Sequence, residues 1–344
     1  MLLDLVVSTA LVVVFGLFLF ALGLALVLLL TGLVIAWELP QKEDRYIHVG
    51  IAVYDRSDTF MESYIRELED KIGQTRILGK KVSYEIYDAE GIGSRQEKQL
   101  QEMYAQDYDV MLVNLVEPAS AAGVLTDAKD ADIPVILFNR EIDEKDLKIS
   151  KNVWYVGTDA RAAGVMQGKL LKDLWKKQSR ILDWNGNGML DYVLVEGEES
   201  HFDAIRRTSG FLETGAELPL NQKGNILAEW KRELAYEKFA ALDDEAVQNV
   251  EAVICNNDDM ALGVYDYYKE KNLKLPVIIG INNSEEMHQK IMSGEMYGTI
   301  DNKMEDQVME ICRLMQAILK KDTGSYQKVW YSTPKAIVKA EGTE

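Results

Sequence analysis

"VWYVGTDARAAGVMQG", residues 153–168, holds the unit from which most of the chain is built. A short apolar run breaks at Gly157 into the polar cluster Gly-Thr-Asp, and helical periodicity takes over from Ala160. This reads as a buried strand followed by a helix over residues 160–178. Upstream, "YIHVGIAVY", "KVSYEIYD", "YDVMLVNLV" and "IPVILFN" read as strands, separated by helices over 61–77, 95–106 and 119–129. Downstream, "DYVLVEGE", "AVICNND" and "PVIIGIN" repeat the pattern, with helices over 201–214 and 258–271. Near-continuous apolar strands alternating with helices indicate parallel sheets covered on both faces and joined by right-handed crossovers. The expected fold class is therefore α/β, with two doubly wound parallel-sheet lobes. Most strands end in a polar cluster, among them "YDRSD", "FNRE", "GTDA", "GEESHFD", "NNDD" and "INNS". Ligands of open α/β sheets bind outside the carboxyl ends of the strands, so two facing lobes would aim these clusters into one cleft.

The N-terminal end stands outside this pattern. Residues 5–37 carry no charge and are rich in Leu, Val, Ala, Phe and Gly, a run longer than the roughly 20 residues a helix needs to cross hydrocarbon. Residues 1–37 read as one transmembrane helix, an anchor or uncleaved signal segment, followed by a polar linker at 38–46. A cleaved signal peptide is the rival reading, but Asp4 is the only charge before the run and no small-x-small cleavage signal closes it. Lys42 and Arg45 are offset by Glu38, Glu43 and Asp44, so the flanking charges do not orient the helix. Across all 344 residues, 56 acidic side chains against 38 basic ones leave a net charge of −18. That balance excludes nucleic acid as a partner, because phosphate binding needs a basic face. Cys255 and Cys312 are the only cysteines and offer no disulfide framework.

Several dispersed stretches, in order, resemble the periplasmic galactose/glucose-binding proteins, the soluble receptors of sugar ABC transporters and chemotaxis. They are "YDRSDTFM", "NLVEPASA", "PVILFNRE", "YVGTDARAAGVMQG", "DWNGNGMLDY", "GEESHFDAIRRT", "VICNNDDMALG" and "SGEMYGTIDN". The resemblance runs from about Ile51 into the 320s. It implies the type I periplasmic binding protein fold, with an N-terminal lobe of residues 47–157 and 303–330 and a C-terminal lobe of 158–302 and 331–344. A three-segment hinge would join them, and the soluble part would be extracytoplasmic, on a single-pass cell-membrane anchor.

A pyranose has a rim of hydroxyls and two C–H-rich faces, so its site needs bidentate polar groups around the edge and aromatic rings above and below. The resemblance implies that Phe60 and Trp230 sandwich the ring. It implies that Asp58, Asn139, Asp203, Arg207, Asn257 and Asn302 bond the hydroxyls, and that His201 reaches the hydroxymethyl end. Asp58, Asn139 and Asn257 equally suit turns or helix caps, and His201 a plain helix start. Two positions depart from the family: Asn282 replaces a carboxylate after "VIIGI", and Arg140 replaces a lysine. An amide carries no charge, so the choice among galactose, glucose, another hexose or a pentose stays open.

"DWNGNGMLDY", residues 183–192, carries oxygen ligands at Asp183, Asn185, Asn187 and Asp191, the carbonyl of Met189 at position seven, and Gly188 at the turn, as in a calcium loop. Position twelve is Leu194, inside a strand-like run, and the resemblance implies that Glu251 supplies the missing carboxylate. The expected cofactor is a structural calcium ion.

The expected function is an extracytoplasmic monosaccharide receptor that closes on sugar and delivers it to an ABC permease. A membrane-tethered sensor signalling to a histidine kinase or chemoreceptor is the alternative. A glycosidase built on a pair such as Asp58 and Asp203, or on His201 with Asp203, is disfavoured, because reversible sugar capture already accounts for those groups.

Overall fold

The structure, a computed structural model, describes residue 16 and residues 20–29, 46–243 and 247–339. It divides into two compact units. The smaller takes in the described residues up to Ile47 together with Arg76–Ser83. Residues 16 and 20–29 are helical. Most of the proposed anchor and its linker lie outside the described residues; among those described, no helix is long and apolar enough to cross a membrane. In the same unit, Arg76 and Ile77 pair with Lys81 and Lys80 in an antiparallel hairpin. Its turn puts Leu78 and Gly79 at positive φ. The helix expected over 61–77 therefore stops at Gln74, since a left-handed Leu-Gly pair reverses the chain where a further helical turn would have run.

The larger unit is His48–Thr75 with the chain from Tyr84 onward. Its first sheet is built from β1 (Tyr46–Val53), the end of β3 (Lys80–Asp88), β4 (Val110–Val113), β5 (Val135–Phe138), β6 (Val153–Thr158) and β12 (Val329–Ser332), β2 (Arg76–Ile77) belonging to the hairpin. The strand order is β12-β6-β5-β4-β1-β3. The second sheet, in the order β13-β11-β10-β9-β7-β8, uses β7 (Leu190–Glu196), β8 (Leu220–Leu227), β9 (Ala252–Cys255), β10 (Val277–Ile281), β11 (Gly298–Asp301) and β13 (Lys335–Val338). β4, β5 and β9 are buried at every residue, which is what helices on both faces of a parallel sheet require. The one antiparallel partner in the second sheet is β13, on the edge beside β11. β8, "LNQKGNIL", is the other edge and stays largely unburied, so its polar composition gave no strand signal.

The helices are α1 (Thr59–Gln74), α2 (Gly93–Tyr104), α3 (Ala121–Asp130), α4 (Ala160–Leu182), α5 (Phe202–Gly215), α6 (Arg232–Ala240), α7 (Asp258–Glu270), α8 (Glu285–Ser293) and α9 (Met304–Leu319). α4 and α5 pack closely, and the opening stretch explains how. A Cβ on Gly164 would lie 1.9 Å from the backbone oxygen of Arg207, so only glycine lets the two helices approach this far. That approach fixes the end of α5 from which His201, Asp203 and Arg207 project.

The chain passes between the sheets three times, after β6, after β11 and after β12. One buried cluster ties these crossings together. The Asn302 carbonyl accepts from Thr158 Oγ1 at 2.8 Å, Ser332 Oγ at 2.7 Å and Gln307 Nε2 at 2.9 Å. Gln307 Nε2 also donates to Thr158 Oγ1 at 2.7 Å. Each crossing thus contributes a polar group to one knot, with the Asn302 carbonyl as the shared acceptor. Cys255 and Cys312 are both free and buried.

Candidate functional site

A cleft at the carboxyl ends of the strands is lined by Tyr54, Asp58, Phe60, Asn139, Arg140, His201, Asp203, Arg207, Trp230, Asn257 and Asn282. Its walls stand close together, leaving only about 40 Å³ of enclosed space between them. It opens into a wider groove that shares Tyr54, Asp58, Phe60, Arg140, Trp230 and Asn282.

The first sheet supplies one wall. Asp58 caps α1, accepting the Met61 N–H at 2.8 Å. Burial raises the pKa of its carboxyl, opposed by that bond and by Tyr54, whose hydroxyl lies against it. Asn139 follows β5 with φ of 63°, a left-handed position that asparagine tolerates, and its carbonyl accepts the Tyr155 hydroxyl at 2.8 Å. Arg140 is buried; it donates to the Val116 carbonyl at 2.6 Å, and its guanidinium lies 3.8 Å from the Tyr54 ring centre. Phe60 is half-buried, its ring 6.0 Å from that of Tyr64.

The second sheet supplies the other wall. His201 caps α5, its Nδ1 accepting the Asp203 N–H at 3.1 Å. With Nδ1 an acceptor, the neutral ring carries its proton on Nε2, and Nε2 has no partner in the protein. Burial, then Arg140 and Arg207, pushes the His201 pKa down to about 2, so the ring is a neutral donor at any ordinary pH. Asp203 is buried and its pKa raised, chiefly by burial, with Arg207 the main opposing influence. Its Oδ1 finds no protein partner, nor does Nε of Arg207. Arg207 donates instead to the Asn256 carbonyl at 2.6 Å, with burial lowering its pKa. These three atoms on one cleft are buried without a protein partner, which leaves them free to bond a polar ligand there.

Trp230 is half-buried with φ of 67°. Its ring stands edge-on to His201 at 5.3 Å and under the Arg207 guanidinium at 5.5 Å. It also lies so near Gly197 that a Cβ there would meet the ring at 2.3 Å. Its carbonyl accepts from Asn257 Nδ2 at 2.9 Å, while Asn257 Oδ1 caps α7 through Met260 N–H at 3.0 Å. Asn257 is therefore a cap and part of the cleft lining at once. Asn282, at φ of 133°, lines the cleft with its Oδ1 engaged by Asn302 Nδ2 at 2.8 Å.

Asn302 does not line the cleft. It is 2 % exposed and sits behind Asn282 in the hinge knot, its Nδ2 on Asn282 and its Oδ1 buried without a protein partner. Two residues absent from the sequence reading belong here. Tyr54 lies over Arg140 and against Asp58. Glu198 Oε1 accepts from Arg140 Nη2 at 2.7 Å and from Trp230 Nε1 at 3.1 Å, joining the two walls. Their positions in "YDRSD" and "GEESHFD", the strand-end clusters, were the available signal.

The 183–191 loop ends α4 and leads into β7. Glu251 is fully buried and accepts the Asp191 N–H at 3.0 Å and the Asn185 N–H at 3.4 Å. Asn185 and Asn187 turn their amides to Asp191 Oδ2 at 3.0 and 3.3 Å. Asp183 accepts the Gly188 N–H at 3.0 Å, and its Oδ1 is buried without a partner. Lys223 Nζ stands 3.5 Å from Asp191 Oδ2. The donor chemistry fits a hard cation. In the arrangement seen, though, these oxygens are tied to the loop's own N–H groups, and no group of three or more His, Cys, Asp or Glu side chains among the described residues is set to hold a metal.

Two sheets, three crossings and a polar cleft at the strand ends define a two-lobed ligand-binding receptor. Residues 49–323 match the periplasmic binding protein domain family, and the chain belongs to its sugar-binding branch. It is 30% identical over 290 residues to the D-galactose/methyl-galactoside binding periplasmic protein MglB of Haemophilus influenzae, covering 82% of this chain and 84% of the relative. It is 27% identical over 248 residues to the galactofuranose-binding protein YtfQ of Escherichia coli, covering 70% and 74%. Among solved structures, a periplasmic solute-binding protein of an ABC transporter from Actinobacillus succinogenes 130z, with bound D-allose, superimposes with TM-score 0.74. That match has 19% identity and covers 85% of this chain and 97% of the other.

Proposed function

We propose that the chain is an extracytoplasmic receptor for a galactose- or glucose-like monosaccharide, which closes on the sugar and presents it to an ABC permease. The observation that carries this reading is the gathering in one cleft of Asp58, Asn139, Arg140, His201, Asp203, Arg207, Asn257 and Asn282 with two aromatic rings, Phe60 and Trp230. Those residues lie far apart in sequence and come from both sheets. Opposite charges, a neutral imidazole donor and amides suit a ring of hydroxyls better than an anionic ligand. A sugar touching both walls favours the state in which they are together, and shifts the open–closed equilibrium by that difference in affinity.

In this reading the relatives' role as binding proteins extends to this chain, and it is not an enzyme. Calcium is part of the proposal: Asp183, Asn185, Asn187, the Met189 carbonyl, Asp191 and Glu251 would hold it, and the partnerless Asp183 oxygen supports this. The ion would neutralise three carboxylates and fasten the loop to β9. The uncharged run at residues 5–37 favours a single-pass membrane tether, and with it a second reading, a sensor reporting sugar to a membrane kinase or chemoreceptor.

A thermal-shift and calorimetric panel of D-galactose, D-glucose, D-allose, L-arabinose and myo-inositol on the purified full-length chain tests the receptor reading. Saturation by at least one with 1:1 stoichiometry is expected; no binding to any monosaccharide, or turnover of a glycoside, sinks it. Neighbouring genes separate the two partners: permease and ATPase genes favour uptake, a kinase and response regulator favour sensing.

A further inference from the structure

Glu141 follows directly on Arg140 and is 1 % exposed. Its Oε1 accepts from Arg206 Nη1, on α5 of the opposite wall, and from the Tyr331 hydroxyl on β12. Its backbone N–H lies against the Asp203 carboxylate and favours the ionised form. Adjacent residues of opposite charge, Arg140 and Glu141, thus reach across to Glu198 and Arg206, which flank the start of α5 on either side. Asp203 lies between these two bridges, with Oδ1 left for a ligand.

We infer that Glu141 is a positioning residue of the cleft: it clasps α5 through Arg206 and through the Asp203 carboxylate, and so sets where the ligand-facing oxygen of Asp203 stands when the lobes are together. This rests on the receptor reading above, and on closure in particular. Charge makes the clasp responsive to protons. Burial pushes the Glu141 pKa up from 4.5 to about 7; Asp203 and Asp159 push the same way, and Tyr331 and Arg206 oppose them. With the lobes apart, Glu141 meets water and returns toward its ordinary value. A group whose pKa is higher in the closed state binds a proton on closing, so closure strengthens as pH falls through 7. For a closed-state value near 7, Glu141 alone should raise sugar affinity roughly fourfold between pH 8.5 and pH 6.5. An exposed His201 would titrate at the lower end of that window and oppose the rise in wild type and Glu141 variants alike, so the ratio of wild-type to Glu141→Gln affinity is what reads Glu141.

The experiment takes the sugar that the wild type binds and measures its affinity by calorimetry from pH 6.5 to 8.5 for wild type, Glu141→Gln and Glu141→Ala, with the melting temperature of each sugar-free protein. Glutamine can still accept from Arg206 and Tyr331, so Glu141→Gln should bind at least as tightly as the wild type at pH 8.5, and its profile should lack the rise that Glu141 contributes. Glu141→Ala should bind at least tenfold more weakly. A Glu141→Gln profile that keeps the wild-type rise overturns the inference even if Glu141→Ala fails to fold. So does a folded Glu141→Ala that binds within twofold of the wild type. A part that is merely structural would lower the melting temperatures without flattening the profile. A wild type that takes no monosaccharide overturns the receptor reading, and this inference with it.

Discussion

Asn282→Asp isolates the one place where this cleft departs in charge from the receptors it resembles. Asn282 Oδ1 is taken by Asn302 Nδ2 at 2.8 Å, so the amide presents its Nδ2 to the cleft as a donor. An aspartate in the same rotamer keeps one oxygen on Asn302 and turns a charged acceptor toward the ligand. Hydrogen bonds to charged groups contribute about 1.5–3 kcal/mol against about 0.5–1.5 for neutral ones, so the net gain should be about 1 kcal/mol, or roughly fivefold in Kd. The φ of 133° is common to both residues and cancels. Calorimetry with D-galactose and D-glucose at one pH and salt concentration is the assay, with the sugar-free melting temperature as control. Unchanged or weaker binding by a variant that melts like the wild type refutes the argument, because the ligand would then offer an acceptor, or nothing, at that vertex.

Trp230→Ala removes a stacking face and the indole donor to Glu198; binding should weaken by about 1–3 kcal/mol, roughly 5- to 150-fold by calorimetry. Gly164→Val drives a side chain into the Arg207 backbone; overpacking of about 1–3 kcal/mol should lower the melting temperature by several degrees or prevent folding. His201, held down to about 2, folds as the neutral ring, whereas the unfolded chain protonates it near 6.5. Its contribution is present above pH 6.5 and is lost at about 1.4 kcal/mol per pH unit below it. Asp58, Asp203 and Glu141 shift the opposite way, so the difference between wild-type and His201→Gln denaturation curves at pH 7 and pH 5 reads His201 alone. For calcium, saturation at a hundredfold Kd should add about 2.7 kcal/mol to stability, removable by chelator and absent in Glu251→Gln. Melting temperatures that ignore both calcium and chelator refute the site.

The α/β layering was legible because a strand buried on both faces has to be apolar throughout, and β4, β5 and β9 are. β8 and β13 were not, since edge strands tolerate polar residues on exposed positions. The cleft residues were legible for a related reason: side chains at strand ends and helix starts have no packing to do, so Asp, Asn and His gathered there need another explanation. Asn302 shares that composition, while its carbonyl serves the hinge, a role no sequence pattern announces. Glu198 and Glu141 stayed hidden because nothing in sequence says that adjacent residues of one wall will find opposite charges on the other.

Asn302 also bears on how ligand contact and lobe geometry are joined. Its side chain orients Asn282, which faces the cleft, and its carbonyl accepts from groups on each of the three crossings. A ligand pulling on Asn282 therefore acts one residue away from the knot about which the lobes must turn. The Asn282–Asn302 bond and the knot share one backbone unit, and any rotation that altered the Asn302 carbonyl would also re-aim the Asn282 amide. Substituting Asn302 should thus weaken sugar binding without removing any side chain that lines the cleft. Substituting Thr158, which touches the knot but not Asn282, separates the two effects: Thr158→Val should change melting more than affinity, and Asn302→Ala should change both.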